Sequence, residues 1–108
     1  MLFRRRFSKL IDRQLDLFAE DHAGLLERIA EAREAYERAP REDAEDRFGD
    51  YQAWAADGTD ELARLRDGYP STLDDDVAAE YEAAFNRGVR RRFRELALEL
   101  EEQKYEDL

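Results

Sequence analysis

The chain has 108 residues, 43% of them hydrophobic and 43% charged, which is enough for one core and no more. Its net charge of −10 and pI near 4.6 disfavour general adsorption to nucleic acid or anionic lipid. Cysteine is absent, so disulfides, thiolate metal sites and cysteine nucleophiles are excluded, and no apolar run approaches the ~20 residues that span a bilayer.

In chain order, residues 1–13 carry Arg4, Arg5, Arg6, Lys9 and Arg13 against the single acid Asp12, with Leu2, Phe3, Phe7, Leu10 and Ile11 on one helical face. Such a basic amphipathic segment suits an anionic membrane or phosphate surface. The ordinary expectation is instead the first turns of a longer helix whose arginines meet acids of the same fold. A cleaved leader is not expected, because no small-residue cleavage pattern is present and the helical phase continues without a pause.

The dominant signal follows. Ile11, Leu15, Phe18, His22, Leu25, Ile29, Ala32, Tyr36 and Ala39 recur at steps of four and three, the heptad spacing of a helix packed on other helices. This predicts helix 1 over about 2–38, ended by Pro40, which cannot continue the ladder and restricts the residue before it. A helix of that length, ~50 Å at ~1.5 Å per residue, needs partners along its whole seam. His22 is the exception on that seam. The ordinary expectation is a core imidazole hydrogen-bonded to Tyr51, Tyr81 or a backbone carbonyl. The sharper one is a seam switch, since protonating a buried imidazole is costly unless an acid such as Glu20 or Asp21 reaches it.

Ala44, Phe48, Tyr51, Ala55, Gly58, Leu62, Leu65 and Tyr69 keep the same rhythm and predict helix 2 over about 41–67, its phase surviving Gly49 and Gly58. The alternative is a break near Gly58, with Asp57 or Thr59 as a new N-cap. Gly68 is expected to take the left-handed conformation of a C-cap, with Pro70 following. Trp54 is expected at the edge of the core. Helix 3, over about 73–105, opens with Ser71 or Thr72 as N-cap and Asp74, Asp75 and Asp76 in its first turn, where acids favour the positive end of the helix dipole. Its apolar face is Val77, Tyr81, Ala84, Phe85, Val89, Phe93, Leu96 and Leu100. The steps of four, four and three from Phe85 to Leu96 locally relax a left-handed supercoil. The acidic residues from Glu101 to Leu108 are expected to fray.

Three long helices joined by short turns give an all-α fold, an elongated antiparallel three-helix bundle (up-down-up) with coiled-coil-like heptad packing in one domain, 1–108. In size and periodicity this resembles spectrin-type repeats, and no motif of that family recurs residue by residue.

Catalysis is tested by elimination. A serine triad needs a base, yet the serines at 8 and 71 fall in end turns, ~20 Å from His22 at helical rise. A di-iron bundle needs Glu-x-x-His from two helices; Ala19 stands three before His22 and no second histidine exists. Zinc meets the same shortage of ligands. The carboxylates fall on charged faces, and no glycine-rich phosphate loop is present. The chain is therefore expected to be no enzyme and to carry no cofactor or metal, and no small-molecule substrate emerges.

Two readings remain. The first is a cytoplasmic interaction module that binds another protein or a second copy of itself. Its contacts are the apolar stripe, extended by Phe3, Leu17, Leu26, Trp54 and Leu98, and the basic residues Arg4, Arg5, Arg6, Phe7 beside them, Lys9, Arg87, Arg90, Arg91 and Arg94. With Arg92, the last four place five like charges in eight residues, which need anions nearby. The second reading is a peripheral binder of anionic membrane or phosphate surfaces through the basic N-terminus. Acids between the two basic clusters deny nucleic acid a continuous stripe.

Overall fold

The computed structural model describes residues 6–69, 73–97 and 100. Every regular element among them is helical: α1 Ser8–Asp21, α2 Ala23–Arg38, a 3-10 turn Arg41–Asp43, α3 Ala44–Gly68 and α4 Asp75–Arg92, with helix resuming at 94–97.

The long first helix expected over 2–38 is therefore two helices, interrupted at His22 (φ −116°, ψ 29°). The interruption is brief. The His22 N–H still reaches the Phe18 carbonyl at 2.9 Å, and the Leu26 N–H reaches the His22 carbonyl at 2.9 Å. No proline is near; Gly24, in the first turn of α2, is the weakest helix former beside the bend. The third helix, expected over 73–105, is likewise interrupted, at Phe93 (φ −133°, ψ 60°), where the apolar spacing leaves the heptad. Both interruptions meet at one place. The Phe18 ring lies 5.0 Å from the His22 ring and 5.3 Å from the Phe93 ring.

Helix directions follow from which residues touch. Phe7 meets Tyr81 and Phe18 meets Phe93, so α1 and α4 rise together. His22 faces Glu61, Arg28 lies over Trp54 and Tyr36 meets Phe48, so α2 and α3 run in opposite senses. Tyr69 meets Tyr81 and Tyr51 bonds Glu95, which sets α3 against α4 and the turn after it. α3 passes through Gly49 and Gly58 without a break.

The core is made of Phe7 at the N-cap of α1, Ile11, Leu15 and Phe18 from α1, Ala55 and Leu62 from α3, Tyr81, Ala84, Phe85 and Val89 from α4, and Leu96, Ala97 and Leu100 beyond Phe93. α2 adds one fully buried side chain, Ile29. Burial thus does not continue along the whole predicted seam: Tyr36 and Phe48, both on it, are 37% and 40% exposed. The radius of gyration of 15.6 Å exceeds the ~13 Å of a rounded domain of this length, so surface is high for the volume enclosed.

Two helix ends differ from expectation. No glycine among the described residues has positive φ, so Gly68 is no left-handed cap; it closes α3 in helical conformation, with Tyr69 (φ −87°, ψ −42°) after it. Ser71 and Thr72 lie outside the described residues, and the N-cap position of α4 is held by Asp74 (φ −60°, ψ 152°), with Asp75 and Asp76 in the first turn.

Glycine matters most where helices approach. A Cβ on Gly88 would meet Ile11 Cγ2 at 3.0 Å and Leu15 Cδ1 at 3.1 Å, whereas one on Gly49 would meet nothing within 4 Å. The Ile11 branch methyl is stiff, because a β-branched side chain has few rotamers in a helix. Gly49→Ala should therefore stabilise by about 1 kcal/mol through helix propensity alone. Gly88→Ala should destabilise by about 1 kcal/mol, since overpacking of ~1–3 kcal/mol outweighs the same gain. Urea unfolding midpoints of the two variants should move in opposite directions.

Candidate functional site

The predicted basic contacts divide into several environments. Arg4 and Arg5 lie outside the described residues. Arg6 is exposed, its Nη1 3.4 Å from Glu80 Oε2. Phe7 is a correction: it is 6% exposed and edge-on to Tyr81 at 5.4 Å, so it is part of the core and not a contact residue. The reason is its position four residues before Ile11, on the same helical stripe. Lys9, Arg90 and Arg94 are exposed. Arg87 and Arg91, one turn apart on α4, are also exposed and flank a small notch with Ser8 and Ile11 of α1. They make no ion pair among the described residues. Arg92, by contrast, is spent inside the fold: Nη2 lies 2.8 Å from Asp16 Oδ1 and Nη1 donates to the Asp12 carbonyl at 3.2 Å. Exposed pairs of this kind fix register and add little stability.

His22 is not a buried imidazole satisfied by tyrosine. Tyr51 donates to Glu95 Oε2 at 3.0 Å and Tyr81 donates to Gln14 Oε1 at 3.0 Å. The His22 side chain is 33% exposed, stacked on Phe18, and its acid neighbour is Glu61 of α3, with Nε2 to Oε2 at 3.8 Å. Neither Glu20 nor Asp21 forms that pair. Glu61 also accepts from Arg64 Nη1 at 2.6 Å through its other oxygen. An antiparallel hairpin that turns near Arg41 places His22 and Glu61 equally far from the turn, so the register itself held the signal for this pair. Beside them, Gln14, Leu17, Phe18, Asp21, His22, Glu61 and Leu65 line a cleft of about 320 Å³ between α1 and α3.

The far end of the α2–α3 hairpin carries a second group. The Tyr36, Phe48 and Tyr51 rings succeed one another at 5.1 and 6.4 Å. Trp54 is 38% exposed, with the Arg28 guanidinium 5.9 Å from its ring. A hollow of about 240 Å³ beside it is lined by Arg28, Ala32, Ala35, Arg47, Asp50 and Trp54, among others. Trp54 thus belongs to an open face instead of sealing the core.

Two polar anchors escape periodicity arguments. Arg66, only 7% exposed, donates from Nε to Asp67 Oδ1 at 2.9 Å and from Nη1 to Asn86 Oδ1 at 3.3 Å, tying α3 to α4. Tyr81 is fully buried, and burial pushes its phenol above the usual 10.0.

Among the described residues no three His, Cys, Asp or Glu side chains converge as metal ligands, and no helix is long and apolar enough to cross a membrane. Comparison with protein-family models, with curated proteins and with solved structures finds no match.

A raised pKa for Tyr81 means that the folded state favours the neutral phenol. The resulting stability is complete below the unfolded value and is lost as pH rises through the folded one. Tyr81→Phe should lose about 1 kcal/mol near neutral pH with the Gln14 hydrogen bond. The gap between wild type and Tyr81→Phe should then narrow as pH rises past the ordinary phenol value of 10.0 and through the higher folded one, as read from melting temperatures.

Proposed function

We propose that this chain is a non-catalytic, cytoplasmic interaction module whose helices stack as three rods, up-down-up with heptad-like packing, to present the α2–α3 hairpin to a partner protein. One observation carries the reading. Tyr36, Phe48 and Trp54 stand 37–40% exposed on the hairpin, whereas Phe7, Phe18 and Phe85 are buried in the core below it. Aromatic side chains bury large area for little lost rotamer freedom and are enriched at the centres of interfaces. Residues 28–54 surround these rings with eight acids and five arginines, the charged rim that an interface keeps in water. On the opposite half of the molecule, Arg87 and Arg91 offer a second, positive contact that steers an acidic partner more than it binds one.

The membrane reading loses support from the burial of Phe7, which removes one of the apolar anchors of the N-terminal segment.

The test is a double substitution, Phe48→Ser with Trp54→Ser. Both positions are partly exposed, so the melting temperature should fall by no more than a few degrees. Crosslinking in the native host should yield a protein adduct with wild type and lose it with the double variant. Retention of the same adduct would refute the hairpin as the contact. Light scattering of purified protein separates self-association, which raises the mass of wild type alone, from binding to a different protein.

A further inference from the structure

The cleft beside His22 lies apart from the hairpin tip. It exists because the interruption at His22 brings α2, and not α1, closely against α3. Its apolar surface is Leu17, Phe18 and Leu65, and Leu17, at 47%, is the most exposed large hydrophobic side chain among the described residues. Its polar groups are the Gln14 amide, the Asp21 and Glu61 carboxylates and the His22 imidazole. Glu61 Oε1 is held by Arg64, while Oε2 lies 3.8 Å from His22 Nε2, too far for a hydrogen bond.

We infer that this cleft binds a small amphipathic amine, an ammonium group on a short aromatic stem. The volume of about 320 Å³ sits at the low end of the ~300–1,000 Å³ range of ligand pockets and admits one ring with a short chain. An ammonium has three donors, which suits a rim of two carboxylates, one of them with an oxygen free of hydrogen bonds. The stem covers Leu17 and Leu65 and removes their apolar surface from water. A ligand anion meets the opposite conditions: it would face both carboxylates on a chain of net charge −10.

The experiment titrates phenethylammonium chloride into the full-length chain labelled with nitrogen-15 and follows amide shifts, with 2-phenylethanol and phenylacetate as matched neutral and anionic probes. The expected result is saturable binding in the millimolar range, with shifts centred on Leu17, His22, Glu61 and Leu65. Binding should be about tenfold weaker for Glu61→Gln and for Asp21→Asn, and weaker again for Leu17→Ser. All three positions are at least partly exposed, and amides distant from the cleft report that each variant keeps the fold. Equal binding of the alcohol would reduce the site to an apolar hole and overturn the proposal, as would tighter binding of phenylacetate. No saturable shift with any probe, or undiminished binding in all three variants, would also overturn it. The hairpin reading is untouched by any of these failures, because the two surfaces share no residue.

Discussion

The Phe18 ring is the point on which the architecture turns. It is 3% exposed, and on either side of it a helix stops: His22 ends α1 at a ring distance of 5.0 Å, and Phe93 ends α4 at 5.3 Å. α1 and α4 lie side by side, so a bend in one without a bend in the other would open the core between them. A buried aromatic ring that lost either neighbour would forfeit contacts worth on the order of 1 kcal/mol beyond its area burial. Paired interruption keeps the ring covered on both sides.

Packing above and below this level is close because a glycine removes a side chain in each half. Gly88 admits Ile11 and Leu15 below the bend, and Gly58 admits Ile29 and Leu96 above it. Polar groups at the bend are also accommodated. Thr59 is fully buried, and its hydroxyl donates to the Ala55 carbonyl at 3.0 Å with the Leu96 carbonyl at 3.5 Å. A hydroxyl buried without such a partner would cost ~1–3 kcal/mol. Arg66 shows the same economy at the lower end, where a buried guanidinium is matched to Asp67 and Asn86. The two open surfaces are the remainder of this arrangement: where α1 departs from α3 a cleft forms, and where the hairpin outruns the core its aromatic rings stay half covered.

Much of the helical content was legible in the residues. Apolar steps of four and three marked the segments that became helices, Pro40 marked the first turn, and continuity of phase through Gly58 marked an unbroken α3. The departure from the heptad at Phe85, Val89, Phe93 and Leu96 implied only a relaxed supercoil in a continuous helix, whereas the backbone breaks at Phe93. His22 was different. The steps from Phe18 to His22 to Leu25 are the same whether or not the backbone stays helical, so spacing carried no information about a break there. Tyr36 and Phe48 show another limit: periodicity names a face but not whether a neighbour covers it. Phe7 was assigned to the basic segment around it although its place before Ile11 put it in the core. Glu61 became visible as the neighbour of His22 only once the hairpin register was fixed.

α3 alone among the long elements carries an uninterrupted ladder past the level of both bends. Its 25 residues make a strut of ~37 Å. Loosening of α1 from α4, or of residues 94–97 from α2, can begin at a joint and stop there, because the hydrogen bonds of the strut bridge the gap. Such a molecule resembles a splinted limb: each half yields on its own, and the chain keeps its length while it does so.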